Sequence, residues 1–281
     1  MKAIACALLV VCVLSAGRAS SAVTPPPAFD HVVVIVFENK ESSSVLGNRT
    51  APTFNAYARR YAKLTRYYGI THPSLPNYIG LVSGSTQGIT TDCTACVVDA
   101  KNLADTIELS GRTWKTYAEG LPVAGYLGAG NGRYAKKHNP FAYFRDVAGD
   151  PSRRARLVPL SQLAVDVQAK ALPDFSLVIP DLCHSMHDCS VSTGDAWLRK
   201  QAPTFLQLPK TVVFVLFDEG SSNLGGGGHA VALALGKTVR AGSRFTGVTS
   251  QYGILRTIEQ AWGLPLLGRS AYVAPITGIW K

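Results

Sequence analysis

The stretch His72-Pro73-Ser74-Leu75-Pro76-Asn77 puts an imidazole, a hydroxyl and an amide within six residues and stiffens the backbone between them with two prolines. Proline holds φ near −65° and suits the first turn of a helix, so Ser74 is expected at or just before a helix N-terminus. Unpaired N–H groups at such an end attract anions, and the helix dipole adds to the attraction. A phosphoryl group beside Ser74 Oγ would meet backbone donors and, one turn further, the Asn77 amide. Charge building up on transferring oxygens calls for donors of this kind. The plainer alternative makes Ser74 a helix cap, worth about 1 kcal/mol, and His72 a turn residue packed on Pro73.

A serine hydroxyl is a weak nucleophile near neutral pH and needs activation. No G-x-S-x-G pattern surrounds Ser74, which leaves the hydrolase nucleophile elbow without support. A divalent metal ion is the other route, because it lowers the hydroxyl's pKa and neutralises a phosphate oxygen. Glu38, Asn39, Asp218 and Glu219 offer oxygen ligands; His187 and Asp188 add an imidazole and a carboxylate. Any one of these acids alone is an ordinary loop residue. Their positions set them apart. Glu38-Asn39 follows HVVVIVF (31–37), Asp218-Glu219 follows TVVFVLF (211–217), and DLCHSMHDCS follows DFSLVIP (174–180).

Those three apolar, β-branched runs, with HAVALALG (229–236), read as strands buried on both faces. Helical patterns over 51–64, 75–84, 101–111, 194–208 and 251–263 lie between them. The expected fold is α/β, a mostly parallel central sheet with helices on both faces. In such sheets, sites form at the carboxyl ends of the strands, where the acid, amide and imidazole groups above are placed.

The chain has 281 residues and a net charge of +10. Residues 1–22 read as a secretory signal, with Lys2, the apolar AIACALLVVCVLSAG and small residues up to Ala22. Residues 23–281 are then expected to form one large α/β domain. Leaving out Lys2 and Arg18 takes the net charge from +10 to +8. A basic surface suits an anionic substrate. No run of five basic residues and no recognition helix points to nucleic acid, and no later stretch is long and apolar enough for a membrane span, so membrane contact is expected to be peripheral at most. Outside the cytoplasm Cys93, Cys96, Cys183 and Cys189 are expected as disulfides. Three pairings are open, of which 93–96 with 183–189 is the simplest.

Taken in order, HVVVIVFENKE, THPSLPNYIGLVSGSTQGI, KHNPFAYF (137–144), SMHDCSVSTGDAWL, FDEG and ILRTIEQAWGLPLLG (254–268) resemble the phosphoesterase family of the alkaline phosphatase superfamily. The closing APITGIW is similar to its secreted acid phosphatase branch known from mycobacteria. The resemblance covers nearly all of residues 23–281. It implies an alkaline phosphatase-like fold and hydrolysis of phosphate monoesters, phosphoinositides among them, through a phosphoseryl intermediate on Ser74. Asn77 would hold a phosphate oxygen, and His72 and His187 would bind phosphate or carry protons. Glu38, Asn39, Asp218, Glu219 and Asp188 would hold a divalent metal ion. A phospholipase C-type diesterase, or a weakly active anion-binding homologue, is the alternative. The chain departs from the family where Gln251-Tyr252-Gly253 replaces a His-Tyr-Ser-like triplet, where Asp181 and Ser185 replace Asn and Asp, and in the glycine run before His229. His184 and His229 are the histidines available to stand in for the missing one.

Overall fold

The computed structural model describes residues 24–281; the signal segment expected at 1–22 and its cleavage near Ala22 lie outside the described residues. Along the chain run the strands β1 (His31–Phe37), β2 (Ala62–Leu64), β3 (Trp114–Ala118), β4 (Gly130–Asn131), β5 (Tyr134–Ala135), β6 (Leu157–Pro159), β7 (Phe175–Ile179), β8 (Thr211–Phe217), β9 (Ala232–Leu235) and β10 (Arg244–Phe245). All but the β4–β5 hairpin join one eight-stranded sheet in the order β10-β2-β9-β8-β1-β7-β3-β6. Pairing is antiparallel only on the two sides of β9, so the sheet is mostly parallel, as expected. The β-branched runs take its centre, with β8, β1 and β7 side by side and buried almost throughout.

The helices are α1 (Ser42–Val45), α2 (Pro52–Arg60), α3 (Ser74–Ser83), α4 (Leu103–Leu109), α5 (Arg145–Gly149), α6 (Pro151–Arg154), α7 (Ser161–Gln168), α8 (Val191–Leu206) and α9 (Gln251–Trp262). They cover both faces of the sheet. On one face, Phe37 meets Phe54 of α2 at 5.2 Å and Trp197 of α8 at 5.8 Å between ring centroids. Phe214 lies three residues before Phe217 and therefore on the opposite face, where its ring meets Trp280 at 6.3 Å. On that side α9 is tied down by Trp262 Nε1, which donates to Phe29 O at 2.8 Å. α3 packs against α9 and is buried at every position.

Several boundaries differ from the sequence reading; α8, for one, begins at Val191 rather than 194. The helix expected over 51–64 stops at Arg60, because Ala62–Leu64 pairs with β9 and β10. The strand expected over 229–236 shrinks to Ala232–Leu235 and runs against its neighbour β8. The cysteines pair with their nearest neighbours, Cys93–Cys96 and Cys183–Cys189.

Glu259 of α9 is wholly buried and accepts from Leu267 N at 2.9 Å and Ser270 Oγ at 2.6 Å, fastening the turn Gly268–Tyr272 to the helix. Burial pushes its pKa up to about 7. The folded chain therefore keeps a proton that the unfolded chain gives up near its usual 4.5. This contribution to stability is complete below about pH 4.5 and is lost as the pH rises through about 7. In Glu259→Gln the amide reproduces the protonated carboxyl. The loss of unfolding free energy between about pH 5 and pH 8, read by chemical denaturation, should be about 2 kcal/mol smaller than in the parent. An unchanged pH dependence would mean that Glu259 ionises freely in the fold.

Candidate active site

Ser74 is the first residue of α3, behind a cis His72–Pro73 bond; Pro73 holds the cap position and has no side-chain acceptor to cap with. Ser74 is therefore not the cap. Its hydroxyl instead donates to Glu38 Oε2 at 2.9 Å, and both groups are buried. Glu38 is the first residue beyond β1. Its other oxygen accepts from the Tyr78 hydroxyl, since residues four apart on a helix share a face. His138 stacks on Tyr78 with centroids 5.3 Å apart and sets Nε2 at 3.3 Å from Glu38 Oε2, off the line of a hydrogen bond. Burial, with Lys137 and His187 nearby, holds the His138 pKa well below the ordinary histidine value.

The parallel register sets Phe37 of β1 opposite Phe217 of β8, so Glu38 and Asp218 leave the sheet together. Asn39 takes a left-handed turn (φ +51°), tolerable for asparagine, and aims its N–H at Asp218 Oδ1, 3.1 Å away. The same oxygen accepts from Glu219 N at 2.7 Å. Glu219 Oε2 accepts from Asn77 Nδ2 at 3.3 Å and lies 2.9 Å from His72 Nδ1, while His72 Nε2 donates to Ser222 O at 2.9 Å. Four of the five expected metal ligands, Glu38, Asn39, Asp218 and Glu219, thus sit at two adjoining strand ends on the Ser74 side, with their carboxylates spread more widely than the donor atoms of Glu119, Asp181 and His184.

The cluster is electrostatically uncomfortable. Burial and the neighbouring Asp218 raise the Glu38 pKa; burial raises that of Asp218; burial, then Asp218 and Asp92, push Glu219 up to about 8. Asp218 Oδ2 and Asn39 Oδ1 are buried acceptors with no donor. Buried charge of one sign is costly without a counter-charge. An all-oxygen donor set with two orphaned acceptors suits a hard divalent cation, so the residues present fit a metal ion.

His187 and Asp188 stand at the rim. Asp188 is 56% exposed and lies 2.6 Å from His187 Nδ1. It does not join the buried carboxylates; its partner is the imidazole. His187 Nε2 is 3.3 Å from Lys137 Nζ, which pairs with Asp92 at 2.8 Å, and Asp92 accepts from Leu75 N in the first turn of α3 at 2.9 Å. Sequence reasoning missed Tyr78, His138, Lys137 and Asp92. The segments KHNPFAYF and HPSLPNY carried three of the four, but nothing local in them announces a shared carboxylate.

Asn77 is spent largely on backbone. Its Oδ1 accepts from Ile70 N at 2.7 Å and Thr71 N at 3.2 Å; its Nδ2 donates to Thr71 O at 2.7 Å and Pro73 O at 3.0 Å. It clamps the loop that delivers Ser74. Gln251 fills the departure from the family pattern as a brace, donating to Asp218 O and reaching Asn77 Oδ1 at 3.5 Å. The glycine run braces the same loop. Gly227 N donates to Gly69 O at 3.0 Å, and a Cβ on Gly226 (φ +109°) would stand 2.4 Å from Ile70 O. His229 lies 3.0 Å from Thr65 O and outside the cluster. His184 belongs to a second group with Glu119 and Asp181, whose donor atoms all lie within 4.8 Å of one another.

Asn77→Ala would strand two backbone N–H groups. Unfolding free energy should fall by about 3 kcal/mol in urea denaturation, with phosphate-ester hydrolysis lost in parallel. A variant of parental stability would remove the clamp from this account.

The phosphoesterase family's sequence profile matches residues 42–265. The chain is 35% identical over 272 residues to the phosphatidylinositol-3-phosphatase of Mycobacterium tuberculosis, covering 94% of this chain and 86% of that protein. It is 27% identical over 261 residues to the phosphate-repressible acid phosphatase of Penicillium chrysogenum, covering 86% of this chain but only 61% of that longer protein. Its fold is similar to that of an alkaline phosphatase superfamily protein from Vibrio parahaemolyticus, with a TM-score of 0.58 at 13% identity, over 89% of this chain and 72% of that one. With its family profile, its relatives and its fold in agreement, this chain belongs to the phosphoesterase family.

Proposed function

We propose that this chain, a phosphatase by kinship, hydrolyses phosphate monoesters in two steps through a phosphoseryl intermediate on Ser74. One observation carries the reading: the buried Ser74 hydroxyl caps nothing and directs its proton at Glu38 Oε2, 2.9 Å away. Glu38, Asn39, Asp218 and Glu219 would hold a divalent metal ion, which when bound supplies charge neutralisation at the phosphoryl oxygens and a lowered serine pKa. Ser74 Oγ attacks phosphorus as its proton passes to the Glu38 carboxylate, and the bond from phosphorus to the ester oxygen breaks. Asn77 and Gln251 keep the nucleophile's loop still against the two strand ends. His72 holds Glu219 in place.

The departing alkoxide takes a proton at the rim, where His187 is oriented by Asp188 through Nδ1 and presents Nε2 beside Lys137. Water then attacks the phosphoserine, giving its proton back along the same route, and the serine oxygen leaves with the proton held on Glu38. The substrate class is phosphomonoesters, with phosphoinositides included because a relative bears that activity in its name. The setting is extracytoplasmic, supported by two disulfides, one of which brackets His187 and Asp188. Residues 23–281 act as one domain.

The test is hydrolysis of p-nitrophenyl phosphate between about pH 4 and about pH 9. Ser74→Ala should lower kcat at least about a thousandfold with an unchanged thermal midpoint. A chelator should abolish parental turnover, and a divalent cation should restore it. Equal rates in the parent and Ser74→Ala would overturn the mechanism. Turnover of bis-p-nitrophenyl phosphate in place of the monoester would make the chain a diesterase, and phosphate binding without any turnover would make it a binding protein.

A further inference from the structure

We propose that a cavity on the far side of His72 is a subsite for a second anionic group of the substrate, with Arg269 as its anchor. The proposal rests on Ser74 being the phosphoryl acceptor. The cavity has a volume of about 230 Å³ and is walled by Thr71 and His72 from the nucleophile's own loop, by Thr86 and Thr90 from the loop after α3, and by Tyr252 and Arg269. His72 is the shared partition, because its Nδ1 lies 2.9 Å from Glu219 in the carboxylate cluster. A molecule held at Ser74 has this cavity as its immediate neighbour.

The chemistry of the wall selects for negative charge. No Asp or Glu lines it. Arg269 forms no ion pair among the described residues. Guanidinium binds phosphate through paired N–H donors. Thr86, Thr90 and Tyr252, which line the same cavity, carry hydroxyls able to donate as well. Arg269 is firmly mounted: its N–H donates to Gly84 O at 2.7 Å, and the turn it sits on is fastened by the buried Glu259.

Size and spacing narrow the ligand. A ligand pocket usually measures about 300–1,000 Å³, so a cavity of about 230 Å³ takes one group rather than a whole ligand. Ser74 opens the ten-residue α3 and Gly84 ends it, a rise of about 15 Å. Arg269 bonds to Gly84 at the far end and lines the same cavity as His72. The second group must therefore be separated from the scissile phosphate by a ring-sized spacer. Cyclitol or sugar bisphosphates meet that requirement, and a pyrophosphate, with its two groups one oxygen apart, does not.

The test compares kcat/KM for myo-inositol 1,3-bisphosphate and myo-inositol 1-phosphate, with p-nitrophenyl phosphate read alongside. The parent should prefer the bisphosphate by about tenfold or more. Arg269→Ala should bring that ratio to about one through KM, and Arg269→Lys should restore part of it. Arg59→Ala, which removes an equal charge from α2, should leave the ratio at the parental value. Calorimetric titration of both inositol phosphates into Ser74→Ala, with and without Arg269→Ala, reads the subsite without turnover. A parent with no preference, or a preference that survives Arg269→Ala, overturns the subsite. If the parent hydrolyses none of the three esters while Ser74→Ala still favours the bisphosphate through Arg269, the reaction assigned to Ser74 fails and the subsite stands; if the binding preference is absent too, both fall.

Discussion

Three carboxyl groups buried at the carboxyl edge of a parallel sheet are the constraint on which the rest of this structure depends. Glu38 and Asp218 leave adjacent strands in register, and Glu219 follows at once. Burial raises all three pKa values, and the neighbouring Asp218 adds to the rise at Glu38 and Glu219. Left alone, such a cluster would protonate or draw in water. The chain surrounds it with donors instead: Ser74, Tyr78, Asn77 and the N–H groups of Asn39 and Glu219. Asp218 Oδ2 and Asn39 Oδ1 remain free as acceptors. The negative charge that makes the edge expensive to bury also makes it suited to a cation, and it draws the serine proton toward Glu38.

Delivering the serine to that edge is the work of the segment before α3. Residues 69–73 are held from within by Asn77 and from outside by the glycine run, whose backbone pairs with Gly69. α3 is buried from end to end, so the nucleophile is fixed by core packing as well as by hydrogen bonds. Gln251 joins the two arrangements, with its amide on the strand end at Asp218 and on the Asn77 clamp. Where the resemblance leads one to expect an imidazole, Gln251 is a brace. The imidazoles at the site are a buried, neutral-leaning His138 against Glu38, His72 against Glu219 and a rim His187 paired with Asp188.

The strands and the acids at their ends were legible because both follow from local rules. A strand buried on two faces leaves an uninterrupted apolar run, and β1, β7 and β8 are such runs. The group placed at the end of such a strand is at the site edge by topology. β2 was not legible: Ala62-Lys63-Leu64 continues a helical pattern, and only pairing with β9 and β10, about 170–180 residues further along the chain, makes it a strand. β3 and β6 are short and mixed in residue type. The direction of the Ser74 hydroxyl also lay outside local signals, since its acceptor is Glu38, 36 residues earlier. Asp188 entered the expected ligand set because its segment follows β7, and its nearness in sequence to His187 turns its carboxylate onto the imidazole. His138 and Tyr78 acquire their meaning only where a stacked pair of rings meets a strand end.

The most direct measurement is acid-quenched turnover with a phosphomonoester in the presence of a divalent cation, followed by mass spectrometry of the peptide that carries residues 69–84. The account predicts one phosphoryl group, on Ser74, appearing at the pace of turnover and disappearing when substrate is exhausted. Steady turnover with that peptide unmodified, or with the phosphoryl group on another residue, would contradict it.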